Sequence, residues 1–277
     1  MLVNLNDVLK KAQKEHYAVG LFNATDSDML DALISAAEEL RSPIIIGTAE
    51  VLLPYGELSL IAPGLLSAAK NASVPVVVHY DHGLTFGRCM EALKRGFSSV
   101  MFDGSAKSYG ENIVETKEIV KIAHAVGASV EGEIGHVGDN GDEDDGADMY
   151  TKPAEAVEYL SATGVDALAV AIGTAHGAYK HKPKLDIERL RQIRAAVDVP
   201  LVLHGGSGLS DDDFRNCIEA GVCKVNIFTD LCLAGSAAMK SASERGLDYL
   251  SCRNEKVAAI KKEAEKKMAL FGCAGKA

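Results

Sequence analysis

Apolar runs rich in β-branched residues recur along the chain, separated by segments whose apolar positions return every three or four residues. Eight of these runs read as strands: Tyr17–Phe22, Pro43–Ile46, Pro75–His79, Ser99–Phe102, Ser129–Ile134, Asp166–Val170, Pro200–His204 and Lys224–Ile227. Most are continuously apolar, the pattern of strands buried on both faces of a parallel sheet. Between them the spacing predicts helices over Ser27–Leu40, Gly87–Lys94, Asn112–Val126, Pro153–Thr163, Ile187–Ala196, Asp211–Glu219 and Asp230–Arg245. A short amphipathic helix is expected within Met1–Gly20, and a last one within Asn254–Ala277. Capping chemistry marks two of the starts: Ser27 ahead of an apolar-periodic run, and Ser210 ahead of three aspartates.

Eight successive βα units without a break in pattern predict an α/β fold, a single-domain (β/α)8 TIM barrel. Such barrels routinely run to about 250 residues as one unit. The alternative is an open doubly wound sheet, and the lack of a Gly-x-Gly-x-x-Gly after the first strand argues against it. One segment departs from the rhythm: Gly135–Tyr150, glycine- and acid-rich without apolar period, is expected to be a long mobile loop with a functional role.

Composition narrows the function classes. At 47% hydrophobic and 25% charged residues, the chain is neither collagen-like, disordered nor membrane-embedded, and no stretch approaches the roughly 20 apolar residues of a membrane span. A net charge of −10 with no basic stripe argues against nucleic acid or an anionic membrane as partner. A small anionic substrate stays compatible, because backbone N–H groups can hold a phosphate locally. The six cysteines have no regular spacing and no Cys-x-x-Cys, and the charged N-terminus is unlike a signal peptide. Reduced thiols and a cytoplasmic location are the expectation.

Function in a barrel concentrates at the C-terminal ends of the strands, so polar residues there need a reason. His79, Tyr80, Asp81 and His82 stand where the third strand gives way to Gly83; His176 follows the sixth; His204 ends the seventh, just before two glycines and a serine; Asn226 and Thr229 end the eighth. Each histidine taken singly has a structural reading as good as a functional one. Together, His82, His176 and His204 ring one mouth, and three neutral imidazoles with an open position form a catalytic zinc site. The loops after the seventh and eighth strands are the usual phosphate site of such barrels. Asp103 ends the fourth strand, and Glu131 and Glu133 share one face of the fifth. Carboxylates there bind a cation or orient a ligand, or one of the pair meets a lysine in the barrel interior. His16, His124 and His181 read as surface residues, and His136 is undecided. Glu143, Asp144 and Asp145, in the expected loop, are either solvated surface or a proton donor and acceptor on a lid.

These segments resemble the class II fructose-bisphosphate/tagatose-bisphosphate aldolases. The matching residues are HYDHG at 79–83, MFDGS at 101–105, EGEIG at 131–135, GTAHGAY at 173–179, HGGSG at 204–208, VNIFTD at 225–230 and the closing FGCAGKA. The resemblance spans essentially the whole chain, in family order. It implies a Zn2+ ion on His82, His176 and His204, with Asp103 and Glu133 as supporting or alternate metal positions. Asp81 would be the base at the carbon beside the ketose carbonyl, and Glu143 the favoured loop acid, with Asp144 as the other candidate. Gly177, Lys180, Gly205, Ser207, Asn226 and Thr229 would hold the phosphate, with a monovalent cation (Na+ or K+) nearby in many members, and Asn23 would touch the substrate. The reaction implied is reversible aldol cleavage of a phosphorylated sugar to dihydroxyacetone phosphate and an aldehyde, by a homodimer or homotetramer.

Three departures concern the aldehyde half. The loop reads GHVGDNGDEDDG where members commonly carry a shorter run; Phe228 stands where an acid is frequent; and Val257 stands near the usual arginine for a second phosphate. Either Arg253 or Lys256 replaces that arginine, or the second phosphate is absent. The chemistry itself calls for a carbanion sink, a Schiff-base lysine or a metal. No lysine is expected at a core strand end facing the mouth, which favours the metal. Two other readings are a metal-dependent isomerase or hydrolase on the same barrel, separable by product analysis, and a non-catalytic accessory subunit, whose signature would be lost metal ligands.

Overall fold

Nine strands pair in one sheet, every pair parallel, in the order β1-β4-β3-β2-β9-β8-β7-β6-β5 with a further pairing of β4 to β5 that closes the ring. The computed structural model describes residues 1–135, 150–177, 179 and 183–277. The barrel strands are β2 (Val19–Asn23), β3 (Ile44–Ala49), β4 (Val76–Gly83), β5 (Ser99–Phe102), β6 (Ser129–Ile134), β7 (Ala167–Val170), β8 (Leu201–Leu203) and β9 (Val222–Ile227), the eight expected. The two-residue β1 (Leu2–Val3) lies on β4 at Val76 and Val77, below the point where β5 joins at His79. It therefore covers the one stretch of β4 edge that the ring leaves open.

Helices alternate with the strands: α1 (Leu5–Glu15), α2 (Ser27–Glu39), α3 (Leu58–Asn71), α4 (Phe86–Arg95), α5 (Tyr109–Ala125), α6 (Pro153–Thr163), α7 (Ile187–Ala196), α8 (Asp211–Glu219), α9 (Thr229–Glu244) and α10 (Tyr249–Phe271). In α1 the buried residues Leu5, Val8, Leu9 and Ala12 follow the i, i+3, i+4, i+7 stripe, and Asn4 with Asp7 forms a capping box. Ser210 and Asp213 do the same for α8. At α2 the cap is Asp26, which accepts from the Met29 N–H, and Ser27 is the first helical residue, a correction of one position.

Three elements were not anticipated: the short β1, a 3-10 turn at Glu50–Tyr55, and α3. α3 carries Pro63 and Gly64 in a nearly unbroken apolar sequence, which hides the helical period; packing on the barrel, where Leu58, Ile61 and Leu65 are buried, overrides that weak propensity. The expected loop at about 135–150, with His136, Glu143, Asp144 and Asp145, lies outside the described residues save for its two ends, as do Lys180 and His181. Among the described residues no helix is long and apolar enough to cross a membrane.

Candidate active site

Strand β4 runs four residues beyond its expected end, through Asp81 and His82 to Gly83. Alternation along a strand points neighbours to opposite faces, yet Asp81 and His82 both line the same cleft. The backbone resolves this conflict: pairing with β5 slips register between Tyr80 and Gly83, and His82 takes a left-handed φ of 43°. A non-glycine residue held there costs about 1–3 kcal/mol, and the distortion re-aims the imidazole into the mouth.

His204 follows β8 and His176 lies in the loop after β7. Barrel closure brings them to His82, with ring centroids 4.4 Å and 4.8 Å from it, and the ligand atoms of the three rings lie within 4.8 Å of one another. His82, Asp103 and Glu133 form a second such group. Carboxylates occupy the far sides of two rings: Asp103 Oδ2 is 2.8 Å from His82 Nδ1, and Glu131 Oε1 is 2.8 Å from His204 Nε2. That leaves His82 Nε2 and His204 Nδ1 face to face at 2.7 Å. A carboxylate behind each imidazole is the arrangement that fixes the tautomer of a metal-ligating histidine.

The electrostatics agree with a site built for positive charge. Burial opposes the imidazolium of His82, but Asp81, Asp103 and Glu133 raise its pKa to about 9. Burial and the neighbouring His82 and His204 charges push His176 down to about 3, and burial with the His82 charge lowers His204. Two neutral imidazoles thus face one point where surrounding acids demand a cation, so the donor set fits a divalent ion.

Asp81 is 2% exposed and held on both oxygens. Asn226 Nδ2 donates to Oδ1 at 3.0 Å and Asn23 Nδ2 to Oδ2 at 2.8 Å. Burial alone would raise its pKa, but His82, Lys224, His204 and His79 outweigh that and keep it well below the usual carboxylate range. The cleft, of about 330 Å³, is walled on one side by Gly205, Gly206, Ser207 and Thr229 and on another by Ala49, Val51, Leu52 and Leu84. Gly205 has φ 65°, and a Cβ there would sit 2.4 Å from the Ala175 carbonyl oxygen, so only glycine allows this close approach. Ser207 Oγ accepts from the N–H groups of Phe228 and Asp230 at 3.3 Å each. Behind that turn, Lys267 of α10, buried against Phe214, meets Asp230 Oδ2 at 2.6 Å.

The cleft therefore gathers Asn23, Asp81, His82, Asp103, His176, Gly177, Gly205, Ser207, Asn226 and Thr229, and Glu133 joins through His82 and Asp103. Glu143 and Lys180 lie outside the described residues. Sequence reading had left Glu131 open between a cation site and a buried lysine. It meets Lys224 Nζ at 2.9 Å as well as His204. Lys224, and Tyr179, whose hydroxyl donates to Gly205 O and accepts from Ala175 N–H, were not singled out. The period-2 pairs Glu131/Glu133 and Lys224/Asn226 carried that signal for the first; nothing local carried it for Tyr179. His16 and His124 are exposed, as expected.

Arg253 and Lys256 are engaged elsewhere. Arg253 meets Asp28 and Asp31, and Lys256 meets Asp26 and Asp28, all at 2.8–3.2 Å.

A family model of class II fructose-bisphosphate aldolases matches residues 3–276. The chain is 40% identical to the YdjI protein of Escherichia coli K12 over the full length of both. It is also 40% identical to the 6-phospho-5-dehydro-2-deoxy-D-gluconate aldolase of Shouchella clausii KSM-K16, covering 99% of this chain and 96% of that one. Among solved structures, the YdjI aldolase superposes with a TM-score of 0.91 at 38% identity over both whole chains. A putative fructose-1,6-biphosphate aldolase from Coccidioides immitis gives 0.89 at 32% identity, covering 99% and 97%. The chain belongs to the class II fructose-bisphosphate aldolase family and is a lyase.

Proposed function

We propose that the chain is a zinc-dependent aldolase that reversibly cleaves a ketose carrying one phosphate on its ketone half, releasing dihydroxyacetone phosphate and an unphosphorylated aldehyde. The observation that carries the reading is the convergence of His82, His176 and His204, with a doubly held Asp81 beside His82 in the cleft. The three histidines would hold Zn2+, which when bound supplies Lewis-acid polarisation of the ketone half. Asp81 stays ionised and is fixed by two amides, so it is available to take a proton from the carbon beside the carbonyl in condensation and return it in cleavage. Gly205, Ser207 and Thr229, with backbone N–H groups around the turn, would bind the phosphate and hold that carbon against Asp81. Glu143, from the acidic loop, is proposed to serve the aldehyde hydroxyl.

A single phosphate is supported by the engagement of Arg253 and Lys256 with Asp26, Asp28 and Asp31. Among the described residues lining the cleft there is no lysine or arginine. The Shouchella relative, by its name, acts on a substrate with one phosphate and a carboxylate. The test is condensation of dihydroxyacetone phosphate with a panel of aldehydes, before and after chelation. Triose phosphate consumption should require the metal and favour unphosphorylated aldehydes. Activity untouched by a chelator, or a clear preference for glyceraldehyde 3-phosphate, would sink the corresponding part of the reading.

A further inference from the structure

The side chain of Lys224 is fully buried in the barrel interior, inside β9, and does not line the cleft. Its Nζ lies 2.7 Å from Asn226 Oδ1, 2.9 Å from Glu131 Oε2 and 3.1 Å from Glu131 Oε1. We propose that Lys224 is a positioning residue that sets both arms of the site at once, orienting Asp81 through Asn226 and His204 through Glu131. The proposal rests on the reading of the site as a metal-dependent aldolase centre.

The argument is one of donors and acceptors. An ammonium only donates, so Asn226 must turn Oδ1 toward Lys224. Its Nδ2 is then directed to Asp81 Oδ1; a flipped amide would set Oδ1 against that carboxylate. Glu131 as a carboxylate only accepts. With Lys224 holding it, Oε1 takes the hydrogen of His204 Nε2, which leaves Nδ1 unprotonated and facing His82.

Stability alone does not explain the pair. A buried ion pair is often no better than apolar residues of the same volume. Here the charges sit on a hydrogen-bond path with two outlets, one ending on Asp81 of the cleft and the other on His204 of the histidine cluster. Lys224 is not placed as a Schiff-base nucleophile, since it is ion-paired beneath the cleft.

The test uses the full chain as Lys224→Met and as Lys224→Met/Glu131→Gln. The double variant carries the test should the single one, left with a buried unpaired Glu131, fail to fold. Three quantities are read: Zn2+ affinity of the metal-stripped protein by calorimetry, the His204 ring 15N shifts in that protein, and kcat and KM. The expected result is roughly a 10- to 100-fold loss of Zn2+ affinity, a His204 ring no longer confined to the Nε2-protonated form, and a lower kcat with KM for the ketose phosphate nearly unchanged. A folded double variant with wild-type affinity, ring shifts and kcat overturns the proposal, as does borohydride trapping of dihydroxyacetone phosphate on Lys224. If the wild-type chain shows no metal-dependent cleavage, the aldolase reading fails. The Zn2+ and ring-nitrogen measurements still decide the role of Lys224.

Discussion

The two walls of the cleft are built on opposite plans. On the β8–β9 side the wall is mostly backbone: Gly205 in a left-handed turn, Gly206 against Val225, and Ser207 accepting from two N–H groups, with Tyr179 tying the neighbouring loop to Gly205. On the β3–β4 side, ordinary apolar side chains form the surface, with Val51 63% and Leu84 44% exposed. The first wall suits one chemical group, an anion, because N–H groups in a fixed turn recognise charge and little else. The second recognises shape, and apolar shape discriminates weakly: about 1–3 kcal/mol per methylene. On the proposed reading, that contrast predicts strictness at the ketone-phosphate end and tolerance at the aldehyde end.

The largest expected effect lies between the walls and belongs to neither. Asp81→Asn should lower kcat by roughly 10²- to 10⁴-fold with little change in KM; near-wild-type turnover would remove Asp81 from the proton transfer. Next is Gly205→Ala, which forces a Cβ onto the Ala175 carbonyl at a positive φ. A strain of about 1–3 kcal/mol should appear as a KM for the ketose phosphate raised on the order of tenfold, with a lower Tm. Lys267→Met leaves the Asp230 carboxylate uncompensated beside the Ser207 turn. KM and the inhibition constant of inorganic phosphate should rise several-fold, and Asp230→Asn in the same chain should restore them. Failure of that restoration would make Lys267 a packing residue only.

Leu84→Ala, on the opposite wall, should alter ketose-phosphate KM by less than about threefold while reordering the aldehyde panel by roughly tenfold. If it weakens phosphate binding as much as Gly205→Ala, the two walls are not independent.

Smallest is an effect on stability beneath both walls. Burial alone would raise the Glu131 pKa, yet Lys224, His204 and His79 hold it at about 2 against an ordinary 4.5. A depressed carboxylate contributes fully above the unfolded value, and that contribution is lost as pH falls from about 4.5 toward 2. An acid-unfolding series on wild type and Glu131→Gln should show this segment of the curve only in the wild type.

Much of the barrel was legible because its signals are local. Strands β5 and β6 and helices α6, α7 and α8 fall where the apolar period puts them. Gly205–Ser207 could be read as a tight turn at the barrel mouth because glycines directly after a strand mark a close backbone approach. α3 was not legible, since Pro63 and Gly64 interrupt a sequence already apolar all round and only burial against the barrel decides its state. The end of β4 was misread for a different reason. HYDHG looks like a strand giving way to a loop, but pairing with β3 continues through Asp81. The register slip and left-handed His82 that place both side chains in the cleft come from the neighbouring strands.

The sequence by itself determined the eightfold alternation, the strand ends that carry polar residues, and the kinds of donor found there. These depend on period and residue type, both written along one dimension. Which of the donors meet was decided only by closure of the barrel. His204 faces His82 across 122 residues, and Glu131 reaches Lys224 across 93. Such pairs are fixed by strand register around the ring and by which acceptor a buried donor can reach, and neither quantity exists in the chain before it closes.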